Sequence, residues 1–123
     1  MKNNFSKYQG LGNDFIIFDA RRNNLDHLFS INKDNFIEHL CNRNFGIGAD
    51  GIILILDSNN KCFVRMKIYN SDGSEPEMCG NGIRCLIAFL KDNNEINNLS
   101  EIPIETKAGL IITSIDGNEN IKV

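Results

Sequence analysis

The chain has 123 residues, 41% of them hydrophobic and 24% charged, with a formal net charge of −3; this is the balance of an ordinary globular domain with room for one core. Its basic residues are scattered, with Arg21-Arg22 the only adjacent pair, which excludes the electrostatic footprint of a nucleic-acid or anionic-membrane partner. The longest apolar runs, residues 52–56 and 86–90, are too short to span a bilayer, and the first five residues lack the apolar stretch of a signal peptide, so a cytoplasmic location is expected.

In chain order, Phe15-Ile16-Ile17-Phe18 follows a glycine cluster and is predicted as a strand. Residues 34–43 carry Phe36, Ile37, Leu40 and Cys41 at helical spacing, with Asn32 or Asp34 as candidate N-cap. Residues 52–56 are wholly apolar and rich in isoleucine, the pattern of a strand buried on both faces. Residues 62–69 alternate, with Cys62, Val64, Met66 and Ile68 turned inward and Phe63, Arg65, Lys67 and Tyr69 turned away. A second helix is predicted over 81–91. Its stripe of Ile83, Leu86, Ile87 and Leu90, widened by Cys85, Ala88 and Phe89, predicts burial nearly all round. Strands are expected at 102–106, at 110–115 and from about Asn118, with Asp116-Gly117 as a hairpin turn. Because Ile121-Lys122-Val123 breaks off in mid-pattern, the 123 residues are expected to be one domain of a longer protein.

Four cysteines, Cys41, Cys62, Cys79 and Cys85, are present, none in Cys-x-x-Cys spacing, and only two isolated histidines, His27 and His39. Free thiols are expected rather than disulfides or a metal centre. Both histidines read as structural, His39 on the polar side of its helix and His27 in a loop.

Eight of the ten glycines fall in four clusters at the ends of apolar elements: Gly10-Leu11-Gly12-Asn13-Asp14, residues 46–51, Asn70-Ser71-Asp72-Gly73-Ser74, and Cys79-Gly80-Asn81-Gly82. Any one of them is a turn on its own, and Asp14, Asp50 and Asp72 read as turn formers. Together, glycines that admit a close ligand and asparagines that both donate and accept suit the carboxylate and ammonium of an amino acid. Cys79 stands apart from the other cysteines, which fit apolar faces. It sits among loop-forming residues at a predicted helix N-terminus, where unpaired N–H groups and a partial positive charge stabilise a thiolate and hold an anion beside it. Gly80 and Gly82 are expected to clear space for that anion. Glu75 and Glu77 oppose the effect if they face the thiol, and Arg84 is expected to pair with an acidic neighbour.

These segments, with Phe5-Ser6-Lys7, Asn42-Arg43 and Ile83-Arg84-Cys85 in register, closely resemble the N-terminal domain of diaminopimelate epimerase. The resemblance implies an α+β fold: a strongly twisted, mostly antiparallel sheet or barrel wrapped around a central buried helix, forming one half of a two-domain, pseudo-symmetric enzyme. It also implies interconversion of LL- and meso-diaminopimelate by two thiols on opposite faces of the α-carbon, in lysine and peptidoglycan precursor biosynthesis. Neither pyridoxal phosphate, another cofactor nor a metal is implied. Cys79 matches the family's catalytic cysteine of this domain, and Asn13, Asn70, Gly80 and Asn81 match substrate-holding positions. Where some members carry a substrate-contacting glutamine, this chain has Gly51. The expected partners are the small-molecule substrate, the absent C-terminal domain and, for the full-length protein, a second copy as homodimer. Cys85 leaves the same segment as Cys79 and cannot flank the same carbon, so the chain alone is expected to be inactive. Proline racemases and hydroxyproline epimerases share the fold but have histidine where this chain has Asn81; phenazine-pathway isomerases lack the cysteine. A non-catalytic amino-acid-binding domain is the alternative from another class, and a redox-sensing thiol lacks a resolving cysteine.

Overall fold

The computed structural model describes residues 5–21, 33–59, 62–77, 79–96, 101–115 and 121–123. Seven strands, β1 (Ser6–Gly10), β2 (Asn13–Asp19), β3 (Gly51–Leu56), β4 (Val64–Asn70), β5 (Ile102–Thr106), β6 (Gly109–Ile115) and β7 (Ile121–Lys122), stand side by side in chain order. Among the described residues, two helices, α1 (Lys33–Cys41) and α2 (Gly80–Asp92), lie in the connections from β2 to β3 and from β4 to β5. Those two strand pairs are parallel and the other pairings antiparallel.

β2 and β4 run in opposite directions while both crossovers step the same way across the sheet. Two connections of the same right-handed sense therefore put α1 and α2 on opposite faces. The alternation of the strands follows suit. Phe15, Ile17, Ile53, Ile55, Val64, Met66 and Ile68 pack with α2, whereas Ile16, Phe18, Ile52, Leu54 and Tyr69 pack with Ile37 and Cys41 of α1. Residues 52–55 are fully buried for this reason, each side chain meeting one helix or the other.

The sheet curls around α2, whose Ile83, Leu86, Ile87 and Leu90 are wholly buried. At about 1.5–3 kcal/mol for each side chain of this size, that stripe is a major contribution to the core. β1 closes over the helix from one side, with Tyr8 edge-on to Phe89 at 5.9 Å and its hydroxyl donating to Asp92 at 2.6 Å. At the far end of α2, Arg21 donates to both Asp19 and Glu95 at 2.7–2.9 Å, tying the exit of β2 to the segment beyond the helix.

Several expectations shift. β1 is absent from the sequence reading because Ser-Lys-Tyr-Gln-Gly has no apolar alternation; it is an edge strand folded back by a two-residue turn at Leu11 and Gly12, both at positive φ. β4 starts at Val64, so Cys62 precedes the strand and is half-buried rather than part of its inward row. Asp34 lies inside α1 and cannot be its N-cap. Asn32, His27, Met78 and the Asp116-Gly117 turn lie outside the described residues, although the antiparallel β6–β7 pairing expected from that turn is present.

Candidate active site

The register of the sheet assembles the four clusters. Parallel pairing sets Phe15 beside Gly51, and antiparallel pairing sets Gly51 beside Asn70. The start of β2, the start of β3 and the end of β4 consequently share one rim. Asp50 links them: its N–H donates to the Asp14 carbonyl at 2.9 Å, its carbonyl accepts from Ser71 N–H at 3.0 Å, and its carboxylate accepts from Asp14 N–H at 3.0 Å. The N-terminus of α2 reaches the same rim, where Asn81 Nδ2 donates to Asn13 Oδ1 at 2.7 Å.

Cys79 is the N-cap of α2, extended at φ −145° and ψ 109°, and its carbonyl accepts the first helical bond from Ile83 N–H at 3.0 Å. Its thiol does not cap the helix, and no acidic residue lies in the first turn. The N–H groups of Gly80, Asn81 and Gly82 have no acceptor within the helix and point from its positive end. Cys79 is half-buried and packs against the edge of the core. Cys85 and Cys41 are buried at 1% and 5% exposure, and burial, before any nearby charge, pushes each thiol up to about 11. Both are core residues, as the sequence indicates.

The two glycines of the first turn do different work. A Cβ on Gly80 would meet nothing within 4 Å, so that side of the turn is open to a ligand. A Cβ on Gly82 would sit 2.8 Å from Ile68 Cδ1, so Gly82 lets the helix press on β4 instead of clearing space for an anion. The 46–51 cluster is likewise mostly structural. N–H groups of Ile47, Gly48 and Ala49 bond the last carbonyls of α1, and Gly46 lies so close to the helix end that a Cβ would overlap the His39 carbonyl oxygen. Only Asp50 of that cluster reaches the rim through its side chain. At Gly51 the space a side chain would need is filled by the Phe15 ring and the Tyr69 carbonyl.

Asn70 is exposed and engaged within its own turn, donating through Nδ2 to Ser74 Oγ at 3.0 Å and through its N–H to the Ser74 carbonyl at 2.7 Å. Asp72 holds the same turn by accepting from Ser74. Asp14 is gripped by Arg43, whose guanidinium donates to both its oxygens at 2.9 and 3.2 Å, with Lys7 at 3.3 Å. Arg43 hydrogen bonding, the largest influence, holds its carboxyl well below the usual carboxylate range. Arg43 carries no role in the sequence reading; the signal for it, two carboxylates at matching strand ends, depends on a register the sequence does not display. Arg84 donates to the Ile121 carbonyl of β7 rather than to an acidic residue: its position on α2 faces the strand that closes the curl. A cleft of about 390 Å³ lined by Glu38, Cys41, Asn42, Ser71 and Asp72 lies on the α1 side and contains none of the predicted site residues.

The family model described as Diaminopimelate epimerase matches residues 5–123. The chain belongs to the diaminopimelate epimerase family. It is 94% identical, over all 123 residues, to the diaminopimelate epimerase of Prochlorococcus marinus (strain NATL2A), of which it covers 43%. A chloroplastic diaminopimelate epimerase of Oryza sativa subsp. japonica is 44% identical over 119 residues, 97% of this chain and 32% of that protein. The chain thus spans less than half the length of the curated relatives it matches. Among solved structures, a phenazine biosynthesis protein of the PhzF family from Bacillus anthracis superposes with a TM-score of 0.70 at 22% identity, over 98% of this chain and 39% of that one. That likeness establishes the epimerase family's fold: a mixed sheet curled around a helix, matching one half of a longer chain.

Proposed function

We propose that this chain supplies one half of the active site of a cofactor-independent epimerase that interconverts LL- and meso-diaminopimelate, in lysine and peptidoglycan precursor biosynthesis. The observation that carries the reading is the convergence of Asn13, Asn70 and the Cys79-Gly80-Asn81 helix start on one rim. There the first-turn N–H groups bind the α-carboxylate, and the carboxylate's growing enolate character is stabilised by the same donors. Asn13 and Asn81 supply polar contacts to the amino-acid head, and Asn70 adds one from the end of β4. Cys79, as thiolate, removes the α-proton from one face. A thiol from the opposite face returns a proton to the same carbon, and the two groups exchange roles when the reaction reverses. Cys85 cannot be that second thiol, because it is buried two turns into the same side of the site.

The second thiol belongs to a C-terminal domain that makes up the remaining length seen in relatives, with residues 1–123 as the N-terminal domain. Such an enzyme works in the cytoplasm of a bacterium and, by analogy with the rice relative, in the chloroplast of a plant. The test is α-hydrogen exchange from diaminopimelate into deuterium oxide. The complete enzyme should exchange and epimerise at the α-carbon, and Cys79→Ala should abolish the epimerisation, which needs a group on each face. Full function in that variant would favour a non-catalytic amino-acid-binding domain. Sustained turnover by the 123-residue chain alone would overturn the half-site reading.

A further inference from the structure

Asn13 and Asn81 meet amide to amide at 2.7 Å. Such a pair has two sensible polarities: Asn81 donates to Asn13, or both amides turn over and Asn13 donates to Asn81. If only one turns, oxygen faces oxygen or NH2 faces NH2. A neutral pair has nothing of its own to choose between the two.

Asp50 supplies the bias. Its Oδ2 lies 3.5 Å from Asn13 Nδ2, a long contact, but one between a carboxylate and an amide NH2. With both amides turned over, the Asn13 carbonyl oxygen would face that carboxylate oxygen instead. The carboxylate itself cannot rotate to accommodate this. Oδ2 accepts from Asp14 N–H at 3.0 Å, Oδ1 accepts from Arg43 at 3.3 Å, and the Asp50 backbone is fixed by Asp14 and Ser71.

We infer that Asp50 is a positioning residue, acting through Asn13 to set the polarity of Asn81 so that the Asn81 NH2 is committed to Asn13 and its carbonyl oxygen is left for the ligand. This rests on the epimerase reading only in naming the ligand group: an acceptor at Asn81 suits the α-ammonium of an amino acid, while the adjacent N–H groups of the helix start suit its carboxylate. The order carboxylate, NH2, C=O, NH2, C=O runs outward from the Arg43 cluster to the site, and every link after Asp50 takes its direction from that charge.

The experiment is Asp50→Asn in the complete enzyme with asparagine side chains labelled with nitrogen-15. An amide in place of the carboxylate carries no charge and has one acceptor oxygen where the aspartate has two, so Asp14 N–H, Arg43 and Asn13 compete for it and the bias weakens. In the unsubstituted enzyme the Asn81 NH2 should show one hydrogen-bonded, slowly exchanging proton; Asp50→Asn should move that pair of signals and speed its exchange. Asp14→Asn is the structural comparison, since it breaks the ion pairs to Arg43 and Lys7 but leaves the Asp50 carboxylate in place, and there the Asn81 signals should persist. In turnover, Asp50→Asn should raise KM for diaminopimelate about tenfold while kcat falls by less, the pattern of a lost binding contact. Unchanged Asn81 signals in Asp50→Asn, or equal displacement in both variants, would overturn the assignment. The amide signals are read without substrate, so they stand or fall independently of whether Cys79→Ala abolishes epimerisation.

Discussion

Gly51→Ala and Gly80→Ala are the same chemical change at two ends of one rim, and the structure gives them opposite signs. At Gly51 the new Cβ would lie 2.6 Å from the Tyr69 carbonyl oxygen and 3.1–3.2 Å from the Phe15 ring. The carbonyl belongs to the backbone of β4, which is paired with β3, and Phe15 is 4% exposed in the core. Neither yields without moving a strand. Overpacking of this kind costs about 1–3 kcal/mol, against a gain of about 0.4–1 kcal/mol from the stiffer unfolded chain. The net expectation is a loss of about 1–2 kcal/mol. At Gly80 the Cβ meets nothing within 4 Å and the backbone is already helical, so only the gain of about 0.4–1 kcal/mol remains. Urea unfolding of the two variants should therefore move the midpoint in opposite directions at an unchanged slope. Gly51→Gln should be worse than Gly51→Ala and should weaken substrate binding as well, because Asn70 is paired directly opposite Gly51. Equal shifts of the same sign for the two alanine variants would refute the β3–β4 register on which the site depends.

Two further outcomes follow from the electrostatics and burial. At pH 8 iodoacetamide should label Cys79 well before Cys41 and Cys85, whose buried thiols are pushed up to about 11; labelling of the latter pair should rise roughly tenfold per pH unit below that value. Peptide mapping reads the order, and Cys85 modified as fast as Cys79 would contradict the packing of α2. Asp14 has its folded-state pKa depressed, chiefly by Arg43, so its contribution to stability is complete above about pH 4 and is lost as pH falls through its lower, folded-state value. Asp14→Asn should accordingly flatten the acid limb of the stability profile below pH 4 while leaving its shape above pH 5 unchanged. A variant with the wild-type acid slope would show that the Arg43–Asp14 pair contributes nothing.

The sequence by itself determined the two helices, the buried strand at 52–56 and Cys41 and Cys85 as core cysteines, because each rests on local periodicity that survives any tertiary arrangement; Cys62, assigned by the same alternation, falls just outside its strand. It also placed Cys79 at a helix start, since a Cys-Gly-Asn-Gly run followed by an apolar stripe has few other conformations. What it could not separate were the roles of its glycines. Gly80, Gly82, Gly46 and Gly51 look alike in one dimension, yet the first is open, the second admits Ile68, the third admits a helix end and the fourth admits a neighbouring strand. Nor could it promote Asp50 above a turn former. That aspartate acquires its neighbours Asp14, Arg43 and Asn13 only when β3 pairs in parallel with β2, a contact across 36 residues that no local pattern encodes. The same pairing helps bring the four clusters to one rim, so the clusters themselves were legible in the chain, while the wiring among them was decided by the sheet.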